Sequence, residues 1–546
     1  MAFVIGLAAV GSCDSDDAEF SDSGEENSDD GSGGSDPGAR DAGASPRRDA
    51  SAPSDKDDLA PEVEQPLALE TPQAGKASVY VPDPATNRVA VVNASNFKVE
   101  NINVGTQPRY AVTVPGEDIA LVLNVGTKDA ALLRTDAAGV TNSRRLDVGH
   151  DANAIAVAPD KQHALIFFNA SLSTTTRADS FQDLTVIDLE PGKEQSRRVS
   201  VGFKPRGVQF TADGRRAFVI TEDGISVLDF AALDGGPKIL PQVTLGDSLS
   251  DAQSIDVQVT PDGTFALARR NGESVLRLIE LATGKIETLE LGGAAVDGGV
   301  GGELTDLDLS PDGAFALAVL RDRGVLVRIP IPAGFRDAST RKEIPNGGSL
   351  IGSVTLSRSG TRAIGYTTAA PIESVTVFDL AADVPPRGIR LRKSVRAVAL
   401  SDDGSRALVL HATQGTLVAG QDEDARIDAS EGYSLVDTGS GFAKLQLTAV
   451  RPNANGFLLT PDGKRVFTLL AGGNVKSVEM ADLDSFQVVS RELSTQPNSI
   501  GFVPGSAEPR VFVGQTGNGG ITFLNALSGV PVRTVSGFEI ASRIRQ

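Results

Sequence analysis

Thr260-Pro261-Asp262-Gly263 and Ser310-Pro311-Asp312-Gly313 are two copies of one phrase. Three more stand at Thr211-Ala212-Asp213-Gly214, Ser401-Asp402-Asp403-Gly404 and Thr460-Pro461-Asp462-Gly463. Diverged copies at 114–117, 158–161, 357–360 and 503–506 complete a series that returns every 43 to 59 residues. Such a period marks one supersecondary unit copied and stacked. The phrase suits a type I turn: Pro presets φ, Asp tolerates the third position, and Gly takes the positive φ that follows.

Apolar alternation flanks each copy, as in Val208-Gln209-Phe210, Val257-Gln258-Val259 and Leu307-Asp308-Leu309 before it, and 217–220, 265–268 and 315–318 after it. Two short strands around a turn read as a hairpin. A third strand ends in an apolar pair and an acidic residue, as at Val186-Ile187-Asp188, Val227-Leu228-Asp229 and Val377-Phe378-Asp379. A fourth closes on Val-Gly or Leu-Gly, as at Val148-Gly149, Val201-Gly202 and Leu291-Gly292. Four short antiparallel strands without helical periodicity make a propeller blade, not a βαβ solenoid.

A tenth unit opens at 67–76 with one extra residue in its turn. The expected fold is therefore all-β: a β-propeller of four-stranded antiparallel blades with about ten repeat units. One ring or two smaller rings would accommodate them, and the lack of a linker inside the array favours one. Residues 537–545 resemble the opening of another unit (202–208). They would either supply the inner strand of the first blade or form a tail.

The Pro-Asp-Gly turn, the apolar-apolar-Asp strand and the Val-Gly strand end resemble the YVTN-type family of propeller repeats, including its lactonase-like branch, over most of 66–537. WD40 is a poor fit, because the chain has no Trp. The resemblance implies a fold more firmly than a function.

The organisation has three parts. Residues 1–13 hold a short apolar run ending in Cys13, the sole cysteine, after Val10-Gly11-Ser12. This looks like a bacterial lipoprotein signal in which Cys13 is lipidated, although no Lys or Arg precedes it. Residues 14–65 carry 17 acidic and 4 basic side chains, a net −13 of the chain's −20. They bury too little apolar surface to offset ordering entropy, and read as a disordered acidic tether. Residues 66–546 are the propeller. The expected location is the envelope of a Gram-negative-type bacterium, with Cys13 as the membrane contact.

The acidic balance argues against nucleic acid, which needs clustered Lys and Arg. His150, His163 and His411 stand in different units at no metal-ligand spacing, and no nucleophile motif occurs. The stretch Asp422–Asp428 lacks the Gly and terminal Glu of a calcium loop and reads as a solvated long hairpin loop. No metal, cofactor or catalytic residue is assigned. One pattern suggests a ligand. Five residues before the turns, at the start of the inner strand, stand Arg109, Asn153, Arg206, Ile255, Thr305, Gly352, Arg396, Asn455 and Asn498, three Arg and three Asn among the nine, with His150 in a neighbouring loop. They would form a donor-rich collar at one channel mouth, suited to carboxylate, phosphate, sugar or peptide groups. The alternative is that they tie down inter-blade loops through backbone carbonyls. Insertions at 171–182, 333–344 and 413–431 would add contact loops. The expectation is a non-catalytic binding or scaffold propeller for an envelope protein or glycan. A lactonase-like hydrolase, a periplasmic oxidoreductase and a structural subunit of an envelope complex are the alternatives.

Overall fold

The computed structural model describes residues 74–536, apart from 173–181, 236–237, 240–254, 271, 293–301, 453–455, 507 and 516–519. The lipoprotein-type signal, the acidic tether, the segment 537–545, most of the insertion 171–182 and Asn455 lie outside the described residues.

Ten antiparallel sheets follow one another along the chain, and nine of them hold four strands in sequential order. The innermost strands of the second to tenth blades are Pro108–Thr113, Ala154–Val157, Gly207–Phe210, Ile255–Val259, Leu304–Leu309, Ser353–Leu356, Val395–Leu400, Phe457–Leu459 and Pro497–Val503. Neighbouring inner strands approach one another around a common channel. The apolar faces of the blades stack in ten clusters, each spanning one pair of neighbours. Ten blades with ten interfaces form one closed ring.

The interface that closes the ring joins the tenth blade to the first. Val503, Phe512, Ile521 and Phe523 pack against Val79, Val92 and Ala94. Phe97 lies 5.4 Å from Phe523, ring to ring, and the Arg510 guanidinium sits 4.7 Å above Phe97. The Gly505 amide donates to the Lys76 carbonyl at 2.6 Å. Packing and hydrogen bonds therefore both cross the seam.

The recurring phrase is a self-satisfied turn. Thr211 Oγ1 donates to Asp213 Oδ1 (2.6 Å) and accepts from the Arg216 amide (3.1 Å). The same pair of contacts recurs at Thr260, Ser310, Ser401 and Thr460. The Thr211 hydroxyl holds the Asp213 carboxyl below its ordinary value, as Ser310 does for Asp312. Gly214 has φ +71°, and a Cβ there would lie 2.3 Å from the Asp160 backbone nitrogen of the preceding blade's turn. Glycine is needed here for conformation and for close approach together. The Asp that ends the third strand is an Asx cap: Asp379 accepts from Ala381 and Ala382 amides, and Asp437 from Gly439 and Ser440.

The first blade departs from expectation. It holds Ser78–Asp83, Arg88–Asn93 and Val99–Asn103, with one further rung, Ala74 to Val79. That rung corresponds to Thr113–Ala120 in the next blade. Its turn is therefore shorter than the others, where one extra residue is expected from sequence. The Gly75 amide closes it on the Ser78 carbonyl at 2.8 Å, and Asp118 Oδ1 accepts from the Ala77 and Ser78 amides at 2.8 and 2.9 Å. Among the described residues the inner position of this blade is occupied from the N-terminal side, by Ala74.

The acidic insertion also differs from a plain hairpin loop. Glu423–Ala429 is an α-helix, with Asp422 Oδ1 accepting from the Ala425 amide at 2.7 Å. Glu423 and Asp424 in its first turn favour the positive end of the helix dipole. No helix among the described residues is long and apolar enough to cross a membrane.

Candidate binding face at the loop mouth

Antiparallel strands sort the connections onto two faces. Each inner strand starts at one mouth of the channel and ends at the Pro-Asp-Gly turn at the other. The second strand returns, so connections from second to third strand lie at the first mouth with the collar positions. The insertion 413–431 joins Arg406–His411 to Glu431–Asp437 and belongs to this loop mouth.

The collar residues fall at corresponding places in their blades but have different environments. Arg109 and Asn498 are exposed. Asn153 is 6 % exposed, and its amide exchanges two hydrogen bonds with the Asn169 backbone, at 2.9 and 2.7 Å. Asn169 in turn donates to the Arg206 carbonyl of the next blade at 2.6 Å. The half-buried Arg206 guanidinium lies 3.1 Å from Glu222 Oε1, which also faces Lys204 at 3.3 Å. Arg396 donates to the Pro452 carbonyl at 3.0 Å, and burial together with nearby Arg451 lowers its pKa. Thr305, at the same level, donates to the Gly352 carbonyl at 2.7 Å. Asn153, Thr305 and Arg396 thus hold loops through backbone groups, while Arg109 and Asn498 present their side chains to solvent.

His150 is buried rather than directed at the channel. Its ring nitrogens lie 2.8 Å from the Asp151 carbonyl and 3.0 Å from Thr185 Oγ1. His411 has the equivalent environment in the eighth blade, against the Ser394 carbonyl (3.0 Å) and Ser434 Oγ (2.7 Å), and burial pushes its pKa down to about 4. His163 pairs with Asp160 at 2.6 Å and stacks on Phe230. Among the described residues no group of three His, Cys, Asp or Glu is arranged to hold a metal ion.

The insertion beside Arg396 is pinned at several points. Lys393, 1 % exposed, donates to the Ile427 and Asp428 carbonyls at the end of the short helix, both at 2.7 Å. Burial lowers the pKa of this amine. Arg392 pairs with Asp424 at 2.7 Å, and Arg451 reaches both Glu431 and Thr413 at 3.1 Å. Gln421 accepts from the Val418 amide (2.8 Å) and donates to the Thr416 carbonyl (2.8 Å), which shapes the tip. On that tip Leu417 and Val418 are 61 % and 58 % exposed. A loop fixed at its base thus presents two adjacent large apolar side chains to solvent.

The opposite mouth widens into a cavity of about 970 Å³ lined by blades four to nine, including Gln209, Asp256, Gln258, Asp308, Arg358 and Tyr366. Its wall is made largely of inner strands and the turns that follow them, with Tyr366 and Arg406 contributed by second strands.

These sheets define the class, a ten-bladed β-propeller. No family model and no curated protein matches the sequence. Among solved structures, the chain is similar to a eukaryotic initiation factor at 13 % identity, covering 84 % of this chain and 96 % of that one, with a TM-score of 0.47. It is also similar to the dihydro-heme d1 dehydrogenase NirN in complex with DHE at 14 % identity, covering 87 % and 81 %, with a TM-score of 0.41. Hydrazine synthase of Kuenenia stuttgartiensis shows 18 % identity over 59 % of this chain and 98 % of that one, with a TM-score of 0.30.

Proposed function

We propose that the chain is a binding or scaffold propeller of a bacterial cell envelope, tethered to the membrane through lipidated Cys13 and the acidic segment 14–65, and that it takes a protein partner on its loop mouth. The observation that carries this reading is the insertion 413–431, where Lys393, Arg392 and Arg451 fix a loop whose tip exposes Leu417 and Val418. Ordering a surface loop costs about 1–2 kcal/mol per residue, so a pinned loop with an apolar tip suits a preformed contact. Arg109 and Asn498 supply polar contacts on the same face. Arg206, Arg396 and Asn153 act by holding the loops. An envelope glycan is the alternative partner, and would draw on the collar more than on the tip.

The test is cross-linking and capture in the source cells with the full chain, comparing the parent with Leu417→Asp/Val418→Asp and with Arg109→Ala. A protein held by the parent and lost with the double variant supports the reading. Capture unchanged in both variants would sink it. Fatty-acid labelling of the parent, but not of Cys13→Ala, tests the tether.

A further inference from the structure

Inner strands on one side of the ring are linked by side chains that reach across to the next blade. Gln209 donates to the Val257 carbonyl (2.7 Å) and accepts from the Val259 amide (2.7 Å). One blade on, Gln258 donates to the Leu307 carbonyl (2.7 Å) and accepts from the Leu309 amide (2.8 Å). Each primary amide behaves like the peptide group of an interposed strand, with one donor and one acceptor matched to a C=O and an N–H two residues apart.

The sixth blade carries Asp308 at this rung, immediately before Leu309, as Gln209 precedes Phe210 and Gln258 precedes Val259. Asp308 Oδ2 accepts from the Leu356 amide at 2.8 Å. By register, the carbonyl matching Val257 and Leu307 is that of Val354. An ionised carboxylate has no proton for it, whereas a neutral carboxylic acid has one.

Asp306, two residues earlier, has a different role. Its two oxygens accept from the Val354 amide (2.6 Å) and the Leu307 amide (2.8 Å), a double-acceptor position that suits a carboxylate. The Arg269 guanidinium lies 3.7 Å from Asp306 and 3.6 Å from Asp256 on the fifth blade. The inner strand of the seventh blade brings Ser353, Val354, Thr355 and Leu356, none of them charged. On the same cavity wall stand Tyr366 and Arg358, the latter 3.4 Å from Asp402. One guanidinium thus faces Asp256 and Asp306, with Asp308 as a third carboxyl beside them.

We propose that Asp308 is the neutral acid at neutral pH, and that its proton completes a clasp between the sixth and seventh blades that loosens when the proton leaves. Burial raises the pKa of Asp256 and of Asp306, the latter to about 6. Asp308 is raised well above its ordinary value by burial and then by the Asp306 charge. Its contribution to stability is therefore present below the ordinary carboxyl range and lost as pH climbs through the folded value.

Asp308→Asn supplies donor and acceptor permanently. The Tm of the parent should fall as pH rises above the ordinary carboxyl range, and Asp308→Asn should flatten that fall and raise Tm at pH 8 by about 2 °C. Asp306→Asn should lower Tm throughout. Infrared difference spectra of the parent at neutral pH should show a protonated carboxylic acid carbonyl stretch that Asp308→Asn lacks. No such band in the parent, or the same band in the variant, overturns the proposal. So does failure of Asp308→Asn to fold, because the neutral isostere is expected to be the more stable form.

Discussion

The two mouths of the ring solve opposite problems with different materials. The turn mouth is regular in its inner turns: the same hydroxyl, carboxylate and glycine recur blade after blade, and each turn satisfies its own polar groups. The insertion 333–344 on this mouth, between the third and fourth strands of the sixth blade, is folded into two short helical segments, Ala333–Arg336 and Ala338–Thr340. The loop mouth is irregular: its ties run from Asn153, Thr305, Arg396 and Lys393 to backbone carbonyls of other segments, and its longest described insertion leaves Leu417 and Val418 in solvent. Repetition at one mouth encodes the fold, and departure from repetition at the other is where the proposed partner would be taken. The same division of labour appears in propellers and barrels generally, where variable loops sit on a rigid scaffold.

Substitutions sharpen or break that contrast. The largest effect is expected at the seam. Phe512, 1 % exposed, closes the tenth blade onto the first. Phe512→Ala should cost about 3–5 kcal/mol in denaturant unfolding. A loss of similar size from Leu417→Asp/Val418→Asp would erase the distinction between scaffold and contact face.

Acid should act next, through His411. Its folded pKa of about 4 lies below the ordinary histidine value of 6.5, so its contribution is complete above that value and is lost as pH falls through the window between them. The loss is at most about 3 kcal/mol, and His411→Gln should reduce the acid sensitivity measured by thermal unfolding. The Asp308 clasp has the opposite sign, weakening as pH rises.

Two glycines give a smaller, paired comparison. Gly214 and Gly415 both have positive φ, +71° and +74°, yet a Cβ at Gly214 meets the Asp160 backbone at 2.3 Å while one at Gly415 meets nothing within 4 Å. Gly415→Ala should cost about 1 kcal/mol from conformation alone. Gly214→Ala should cost more, about 2–3 kcal/mol, because a neighbouring blade must also shift. Equal losses would mean that the turns of adjacent blades are not packed as described. The smallest effect belongs to the tip: Leu417→Asp/Val418→Asp should leave stability within about 0.5 kcal/mol of the parent.

How much of this was legible in the sequence follows the range of the interactions. Thr211, Asp213 and Gly214 satisfy one another within four residues, so their spacing announces the turn and the fold. The third-strand Asp is equally local, capping amides two and three residues on. Gln209, Gln258 and Asp308 were visible as polar residues in apolar alternation, but their partners lie 48 to 51 residues away. Nothing local says that they bridge blades. The helix Glu423–Ala429 had its own signal in Asp422 followed by acidic first-turn residues, which the acidity of the stretch disguised as a solvated hairpin loop. Lys393 gave no signal, since its burial depends on a helix end that reaches it from more than thirty residues away. His150 was placed correctly before an inner strand, yet whether its ring turns outward or inward depends on Thr185, across the blade.

The decisive measurement is quantitative capture of the proposed envelope protein partner by the full chain, read side by side for a loop-mouth variant, Leu417→Asp/Val418→Asp, and a turn-mouth variant, Arg358→Ala. Both should match the parent in stability. The expected result is at least a tenfold loss of capture with the loop-mouth variant and none with the turn-mouth variant. Equal capture by all three, or loss confined to Arg358→Ala, would contradict the assignment of the loop mouth as the binding face.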